Sequence, residues 1–204
     1  MIQLYDIKKI VYIKNLLKND IENFYSIKSS LLKQYKKIND VVNLLYKTVK
    51  QNKNIYICGN GGSAADAQHI AAECMVRLTS KVNRKPIPMI SLALDMSTLT
   101  ACANDYSFNN IFSRNLDGLG KKNDALIVLS TSGKSKNIIE VLKVAKKKGI
   151  NSIALLGNKG GSAKKLAKIS IIIESKDTAR IQESHMFLGH FIVKNLEMKL
   201  LKKK

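Results

Sequence analysis

The sequence predicts an α/β fold: a three-layer, doubly wound parallel sheet of about five strands, preceded by an N-terminal helical extension. Three observations predict it. After residue 53, short apolar runs alternate with helical patterns, which is the order that builds a parallel sheet with right-handed crossovers. The apolar runs are continuous, as expected of strands buried on both faces. Residues 4–52 carry only helical periodicity, and no glycine or proline occurs before Gly59.

The N-terminal region, residues 1–52, is predicted to be an amphipathic helical extension. Lysines fill one face, and apolar residues recur on the other at helical spacing. This apolar face comprises Leu31, Leu32, Tyr35, Ile38, Val41, Val42 and Leu45. A face of this kind packs on the rest of the chain or on another subunit.

The rest of the chain, residues 53–204, is predicted to be the α/β core. The predicted strands are 54–58, 88–94, 124–129, 151–156 and 169–173. The predicted helices are 63–78, 96–118, 136–148, 162–167 and 178–201. Because no repeat, low-complexity stretch or linker interrupts this order, residues 1–204 are expected to form a single domain.

The chain is strongly basic, with 35 basic and 15 acidic residues and a formal charge of +20. The lysines are scattered over every segment, arginines are few, and no aromatic residues interleave with a basic stripe. We therefore expect no nucleic-acid partner, although a positive field attracts an anionic substrate. The tail Lys202-Lys203-Lys204 is expected to be a solvated end.

The cysteines and the apolar runs predict a cytoplasmic protein without a membrane partner. Cys58, Cys74 and Cys102 are far apart and form no C-x-x-C motif, which argues against a disulfide scaffold or a thiolate zinc site. No apolar run approaches the roughly 18 residues of a membrane span, and the N-terminus lacks a signal sequence.

The most informative stretch runs from Cys58 to His69, where a predicted strand leads through Gly59, Gly61 and Gly62 into a helix. Such a junction presents backbone N–H groups and a helix N-terminus to an anionic or hydroxylated ligand. The glycine spacing fits neither the dinucleotide fingerprint nor the Walker lysine loop, so no nucleotide or redox cofactor is expected. The alternative is a tight strand-to-helix turn.

A second loop, residues 130–135, follows the third predicted strand. It places four hydroxyls and a glycine before a helix N-terminus, which together suit a phosphate group. A turn with a single capping hydroxyl is the alternative, but one hydroxyl satisfies a cap and this loop offers four.

Two helices contain all three histidines of the chain. His69 and Glu73 are four residues apart and therefore share a helix face, as two metal ligands, an acid/base pair or a solvated ion pair would. Gln182 and His190 are eight apart on the last helix, about 80° off a common face. The spacing leaves open which polar groups of this helix face a site.

Taken together, these motifs resemble the bacterial phosphoheptose isomerases of the sugar isomerase (SIS) domain superfamily. The resemblance runs from about residue 40 to residue 200. It is carried by Cys58-Gly59-Asn60-Gly61-Gly62-Ser63 with His69 and Glu73, Asn104-Asp105-Tyr106, Phe112-Ser113-Arg114, Ser130-Thr131-Ser132-Gly133-Lys134-Ser135, and Ala179-Arg180-Ile181-Gln182-Glu183-Ser184-His185 with His190.

The resemblance implies an isomerase that converts sedoheptulose 7-phosphate to D-glycero-D-manno-heptose 7-phosphate, for lipopolysaccharide or capsule. It implies Glu73 as base and His190 as acid, acting through an enediol, and one zinc per subunit on His69, Glu73, Gln182 and His190. It implies a homotetramer with sites at subunit interfaces. It implies a substrate pocket of Asn60, Gly61, Gly62, Ser63, Glu73, Asn104, Asp105, Ser130, Thr131, Ser132, Ser135 and Gln182.

A non-catalytic SIS protein that binds a sugar phosphate or the replication initiator is the alternative. Members of that subgroup have a similar glycine loop but lack counterparts of Glu73 and His190. Both residues are present here, which favours the enzyme.

Overall fold

The computed structural model describes residues 2–201, with side chains from Ile10 onwards, so the lysine tail lies outside the described residues. The helices are α1 (Ile2–Ser30), α2 (Tyr35–Lys50), α3 (Gly62–Met75), α4 (Met96–Asp105), α5 (Ile111–Leu119), α6 (Lys136–Lys148), α7 (Ala163–Leu166) and α8 (Thr178–Leu201). The strands are β1 (Ile55–Gly59), β2 (Met89–Ser91), β3 (Ala125–Ser130), β4 (Asn151–Gly157) and β5 (Ile169–Ile173). Short 3-10 helices span Leu31–Gln34 and Phe108–Asn110.

All five strands are parallel and lie in the order β2-β1-β3-β4-β5, which confirms the predicted sheet. Successive residues of a strand pack alternately in two separate cores, one on each face of the sheet. Ile57, for example, packs in one core with α2, α3 and α8, whereas Tyr56 packs in the other with α4 to α7. These two cores make the three layers.

From Ile27 onwards, the N-terminal region packs on its own chain. The side chain of Gln34 donates to the carbonyl of Ile172 at 2.7 Å and accepts from the N–H of the same residue at 3.1 Å. Ile172 belongs to the edge strand β5, so this amide satisfies backbone groups that an edge strand leaves open. Most of the predicted apolar face is buried within the chain, whereas Leu32 and Tyr35 are 75% and 62% exposed.

Two predicted elements are shorter than the pattern indicated. The second strand ends at Ser91 instead of residue 94, because the hydroxyl of Ser91 accepts from the N–H of Ala93 in the turn that follows. The helix predicted over residues 96–118 divides at Ser107, whose extended backbone and side-chain bond to the Asn109 N–H start a new helical segment. Within residues 2–201, no helix is both long and apolar enough to cross a membrane.

The contact between α3 and α8 depends on a glycine. A Cβ added at Gly189 of α8 would lie 2.4 Å from Cδ1 of Ile70 of α3, well inside van der Waals contact. Both residues are buried in the core that α2, α3 and α8 share, so Ile70 has little room to move.

Gly189→Ala is therefore expected to lower the free energy of unfolding by about 1–3 kcal/mol, the usual cost of overpacking a core. Gly118→Ala in α5 is the matched control, because nothing lies within 4 Å of its added Cβ. The control should raise stability by about 0.5–1 kcal/mol, since alanine favours the helix. Urea unfolding measures the free energy of unfolding of both variants. Equal changes in the two variants would contradict a tight contact at Gly189.

Candidate active site

The candidate site lies at the carboxyl ends of β1 and β3. These neighbouring strands send their chains in opposite directions, β1 through α3 to β2, and β3 through α6 to β4. A crevice forms at such a switch point, and ligands of open parallel sheets bind there.

The first loop joins β1 to α3. Gly61 has a φ of +55°, a backbone conformation that favours glycine, and no atom of the described residues lies within 4 Å of an added Cβ there. The space beside Gly61 at the entry to α3 is therefore open, while the N–H groups of Ser63 and Ala64 donate to the carbonyls of Asn60 and Gly61.

An amide pair joins the two loops. Asn60 donates to the side-chain oxygen of Asn137 at 2.9 Å, and Asn137 donates back to the side-chain oxygen of Asn60 at 2.8 Å. Asn137 is 2% exposed at the start of α6 and was missed by the sequence reasoning. The signal was there, because Asn137 is four residues before Val141 and so occupies a position in the buried stripe of this helix.

The second loop keeps its hydroxyl protons available. The Ser130 hydroxyl accepts from the N–H of Gly133 at 3.0 Å, and that of Ser132 accepts from the N–H of Lys134 at 3.1 Å. Ser135 is the N-cap residue of α6, yet its side chain makes no capping bond. An accepting hydroxyl retains one O–H to donate, so this loop can bind an anion at the N-terminus of α6.

A His–Glu–His cluster connects α3 to α8. Nε2 of His69 lies 2.9 Å from Nε2 of His190 and 3.5 Å from Oε1 of Glu73. One ligand atom from each of the three residues lies within 4.8 Å of the others. The second oxygen of Glu73, Oε2, is buried and has no hydrogen-bond partner among the described residues. The chain thus assembles a carboxylate and two imidazoles from distant segments.

Gln182 approaches the first loop from α8. Its side-chain nitrogen would lie 2.6 Å from a Cβ at Gly62, so the glycine makes room for it. Gln182 and His190 border one groove together with Asp66, and Phe24 and Lys28 of α1 close its other side. Gln182 therefore meets the start of α3, whereas His190 meets its middle.

Asp66 is a further residue that the sequence reasoning missed. One of its carboxylate oxygens is buried without a partner among the described residues. Burial raises the pKa of Asp66, while the nearby His69 opposes the rise. Asp66 lies three residues before His69 on α3, and that spacing was the signal that could have identified it.

Asn104 and Asp105 take no part in the hydrogen bonds described above for the two loops. They are exposed at the end of α4, where Asn104 donates to the carboxylate of Asp105 at 2.9 Å. Beside them, the Arg114 guanidinium lies 4.0 Å from the ring centroid of Tyr106. Hydrogen bonds join Asn60 to Asn137, which follows the second loop, and close contacts join His69 and Glu73 to His190. Among the described residues, no such link connects Asn104 or Asp105 to these groups.

Comparisons with known proteins agree with the sequence resemblance. Residues 21–157 match the family model described as the SIS domain. The chain is 43% identical to the phosphoheptose isomerase of Sulfurimonas denitrificans over 190 residues, which are 92% of this chain and 96% of the relative. It is 41% identical to that of Clostridium acetobutylicum over 194 residues, 94% of this chain and 98% of the relative.

A solved structure agrees as well. The phosphoheptose isomerase of Neisseria gonorrhoeae superposes with a TM-score of 0.84 at 32% identity, covering 91% of this chain and 99% of that one. The predicted resemblance and fold class are thereby confirmed.

His185, the third histidine, lies outside the cluster. It is 0% exposed, and neither ring nitrogen has a hydrogen-bond partner among the described residues. Burial lowers the pKa of His185 to about 4, and the nearby backbone of Leu156 opposes this only in part. The folded protein therefore holds His185 neutral well below the ordinary pKa of 6.5.

Acid should destabilise the protein through His185. As pH falls below 6.5, His185 becomes protonated in the unfolded chain, but in the folded protein it stays neutral until about pH 4. The free energy of unfolding therefore falls across this window. The loss at the acid end is up to about 3 kcal/mol. Urea unfolding at about pH 7 and about pH 4.5 should show a smaller loss for His185→Leu than for the wild type. Equal losses would contradict a buried neutral His185.

Proposed function

The chain belongs to the phosphoheptose isomerase family of SIS-domain proteins, and we propose that its candidate site converts sedoheptulose 7-phosphate to D-glycero-D-manno-heptose 7-phosphate. The observation that carries this proposal is the convergence of Glu73 with His69 and His190 in a chain that also has two loops suited to a phosphosugar. The reaction needs a base for carbon-bound hydrogen and an acid for oxygen, and these residues can supply both.

In the proposed mechanism, Glu73 removes a proton from C1 of the ketose, and an enediol forms between C1 and C2. His190 donates a proton to O2 and accepts the proton of O1. Glu73 then returns a proton to C2, which completes the aldose. Glu73 suits the role because its side chain is only 20% exposed and one oxygen has no partner among the described residues.

We assign the phosphate to the second loop. The hydroxyls of Ser130, Thr131, Ser132 and Ser135 and the N-terminus of α6 offer donors on one side of the crevice. The first loop, with Asn60, Gly61, Gly62 and Ser63, would bind sugar hydroxyls, and Gln182 would reach the sugar past Gly62. The Asn60–Asn137 pair would keep the two loops at a set separation.

Asn104 and Asp105 complete the proposed pocket on the strength of the family resemblance. Both are exposed and carry hydrogen-bonding groups suited to sugar hydroxyls. Their present bond to each other leaves one carboxylate oxygen and one amide proton for a ligand.

We also propose that one zinc per subunit binds His69, Glu73, Gln182 and His190. The His–Glu–His cluster fits, because it offers nitrogen and oxygen donors without thiolates, the set typical of catalytic zinc, and because Oε2 of Glu73 is buried without a partner among the described residues. Gln182 joins this proposed set on the strength of the family resemblance. Zinc bound there would polarise the sugar oxygens. A group bound to metal is a poorer proton carrier, so the zinc and acid/base roles of Glu73 and His190 compete.

A homotetramer in the cytoplasm is the proposed state of the protein, with its product used for lipopolysaccharide or capsule. An apolar set of α1 side chains supports self-association, each of them at least 45% exposed: Ile10, Ile13, Leu16, Leu17 and Ile21. The three cysteines are free and buried, as expected in a reducing compartment.

The non-catalytic alternative is not favoured. It requires only the loops, whereas this chain also brings Glu73 and His190 into one cluster, and the relatives named above are isomerases.

Glu73→Gln is expected to lower the rate of conversion of sedoheptulose 7-phosphate by about 10² to 10⁴, the usual contribution of a general base. The amide keeps the size of the side chain but cannot accept the proton. The measurement is incubation with sedoheptulose 7-phosphate, followed by mass-resolved separation of ketose and aldose.

Glu140→Gln is the control, because Glu140 is a surface carboxylate that pairs with Lys143 on α6. The conversion rate of this variant should match that of the wild type. A folded Glu73→Gln protein with near wild-type turnover would eliminate Glu73 as the base. A wild-type protein without conversion would eliminate the proposed function.

Zinc content should fall in His69→Ala and in His190→Ala, because each change removes one nitrogen from the cluster. His185→Leu removes the histidine outside the cluster and should retain the metal. Elemental analysis after dialysis measures occupancy, and chelation should lower activity reversibly. If protein verified as metal-free turns over at the wild-type rate, the metal has no catalytic part, and Glu73 and His190 act alone.

A further inference from the structure

A buried ion pair lies at the far end of the α3–α8 contact. Nε of Arg84 is 2.7 Å from Oε1 of Glu197, and the two side chains are 3% and 2% exposed. The proposed mechanism uses neither residue. A buried ion pair is weak support for stability, because desolvation offsets most of its attraction.

The Arg84 guanidinium binds the last turn of α3. Nη2 donates to the carbonyl of Glu73 at 2.8 Å, and Nη1 donates to the carbonyls of Cys74 at 2.7 Å and Lys85 at 3.1 Å. Carbonyls of the last helical turn have no partner within the helix, and a cation there also complements the helix dipole. Arg84 therefore holds the main chain of the residue whose side chain is the proposed base.

Glu197 ties this arrangement to α8. It follows His190 by seven residues, about two helical turns, so both side chains lie on the same face of α8. Its Oε1 also accepts from the N–H of Leu78, in the segment after α3, at 3.3 Å. One face of α8 thus presents His190 to the side chain of Glu73 and Glu197 to the arginine that holds the main chain of Glu73.

We infer that Arg84 and Glu197 are positioning residues that set Glu73 against His190. The contact of Ile70 with Gly189 in the middle of these helices is apolar and has no preferred direction along the helix axes. The forked guanidinium, by contrast, has directed bonds to two successive carbonyls and to Glu197. The inference rests on the proposed function for the role of Glu73.

The test compares Arg84→Met, Arg84→Lys and Glu197→Gln. Arg84→Met should lower kcat by about 10- to 100-fold, as the loss of groups that orient site residues does, while KM changes by less than about threefold. Arg84→Lys should recover part of kcat, because lysine keeps the charge near Glu197 but cannot bridge both carbonyls. The kcat of Glu197→Gln should lie between those of the wild type and Arg84→Met. Unchanged kcat in folded Arg84→Met, or a rise in KM alone, would overturn the inference.

A stability control separates positioning from general loosening. Leu142→Ala opens a cavity in the opposite core, among α4 to α7, and should lower stability without lowering kcat. Equal losses of kcat in Leu142→Ala and Arg84→Met, compared at the same interval below each melting temperature, would contradict a positioning role.

A second readout does not depend on the reaction. Nitrogen-15 NMR of the imidazole rings reports the 2.9 Å contact between His69 and His190 whether or not the protein turns over. The chemical shifts of the His69 and His190 ring nitrogens should differ from the wild type in Arg84→Met and match it in Leu142→Ala. If the wild type does not turn over but the signals shift in this pattern, the proposed function fails and the positioning stands. Unshifted signals in Arg84→Met overturn the positioning.

Discussion

The close packing of α3 against α8 is the constraint on which the candidate site depends. The two helices run in the same direction and meet at three levels. Gln182 contacts Gly62 where α3 begins, Gly189 contacts Ile70 in the middle, and Glu197 reaches the end of α3 through Arg84. The His–Glu–His cluster lies between the middle and last of these contacts. Since glycine supplies the room at two levels, any side chain there would separate the groups that must act together.

The sheet positions everything else relative to this helix pair. Because β1 and β3 are neighbours with parallel register, their carboxyl ends deliver the two loops side by side, and the Asn60–Asn137 pair joins them. The first loop leads into α3, so the proposed sugar-binding backbone and the proposed base belong to one strand–loop–helix unit. The second loop leads into α6 on the opposite face of the sheet. A phosphosugar in the crevice would therefore contact both helical layers.

The sequence predicted the element order, the parallel sheet and the two loops, because these depend on local periodicity and turn chemistry. It could pair His69 with Glu73, since both lie on one helix. It could not bring His190 to them from 121 residues away, and the role of His190 came from the family resemblance. Arg84 gave no local signal, because its partners are three main-chain carbonyls and a distant carboxylate. Helical spacing also grouped Leu32 and Tyr35 with buried residues, but the 3-10 segment Leu31–Gln34 interrupts the α-helix, and both side chains are exposed in the chain.

The central claim is that Glu73 and His190 move a proton between adjacent carbons of sedoheptulose 7-phosphate. Prolonged incubation in heavy water tests it most directly, because a proton held by a carboxylate exchanges with solvent. The account predicts an aldose heptose phosphate that carries deuterium at C2, formed by the wild type and not by His190→Ala. Product without deuterium, with the original hydrogen of C1 retained at C2, would contradict proton transfer through an enediol.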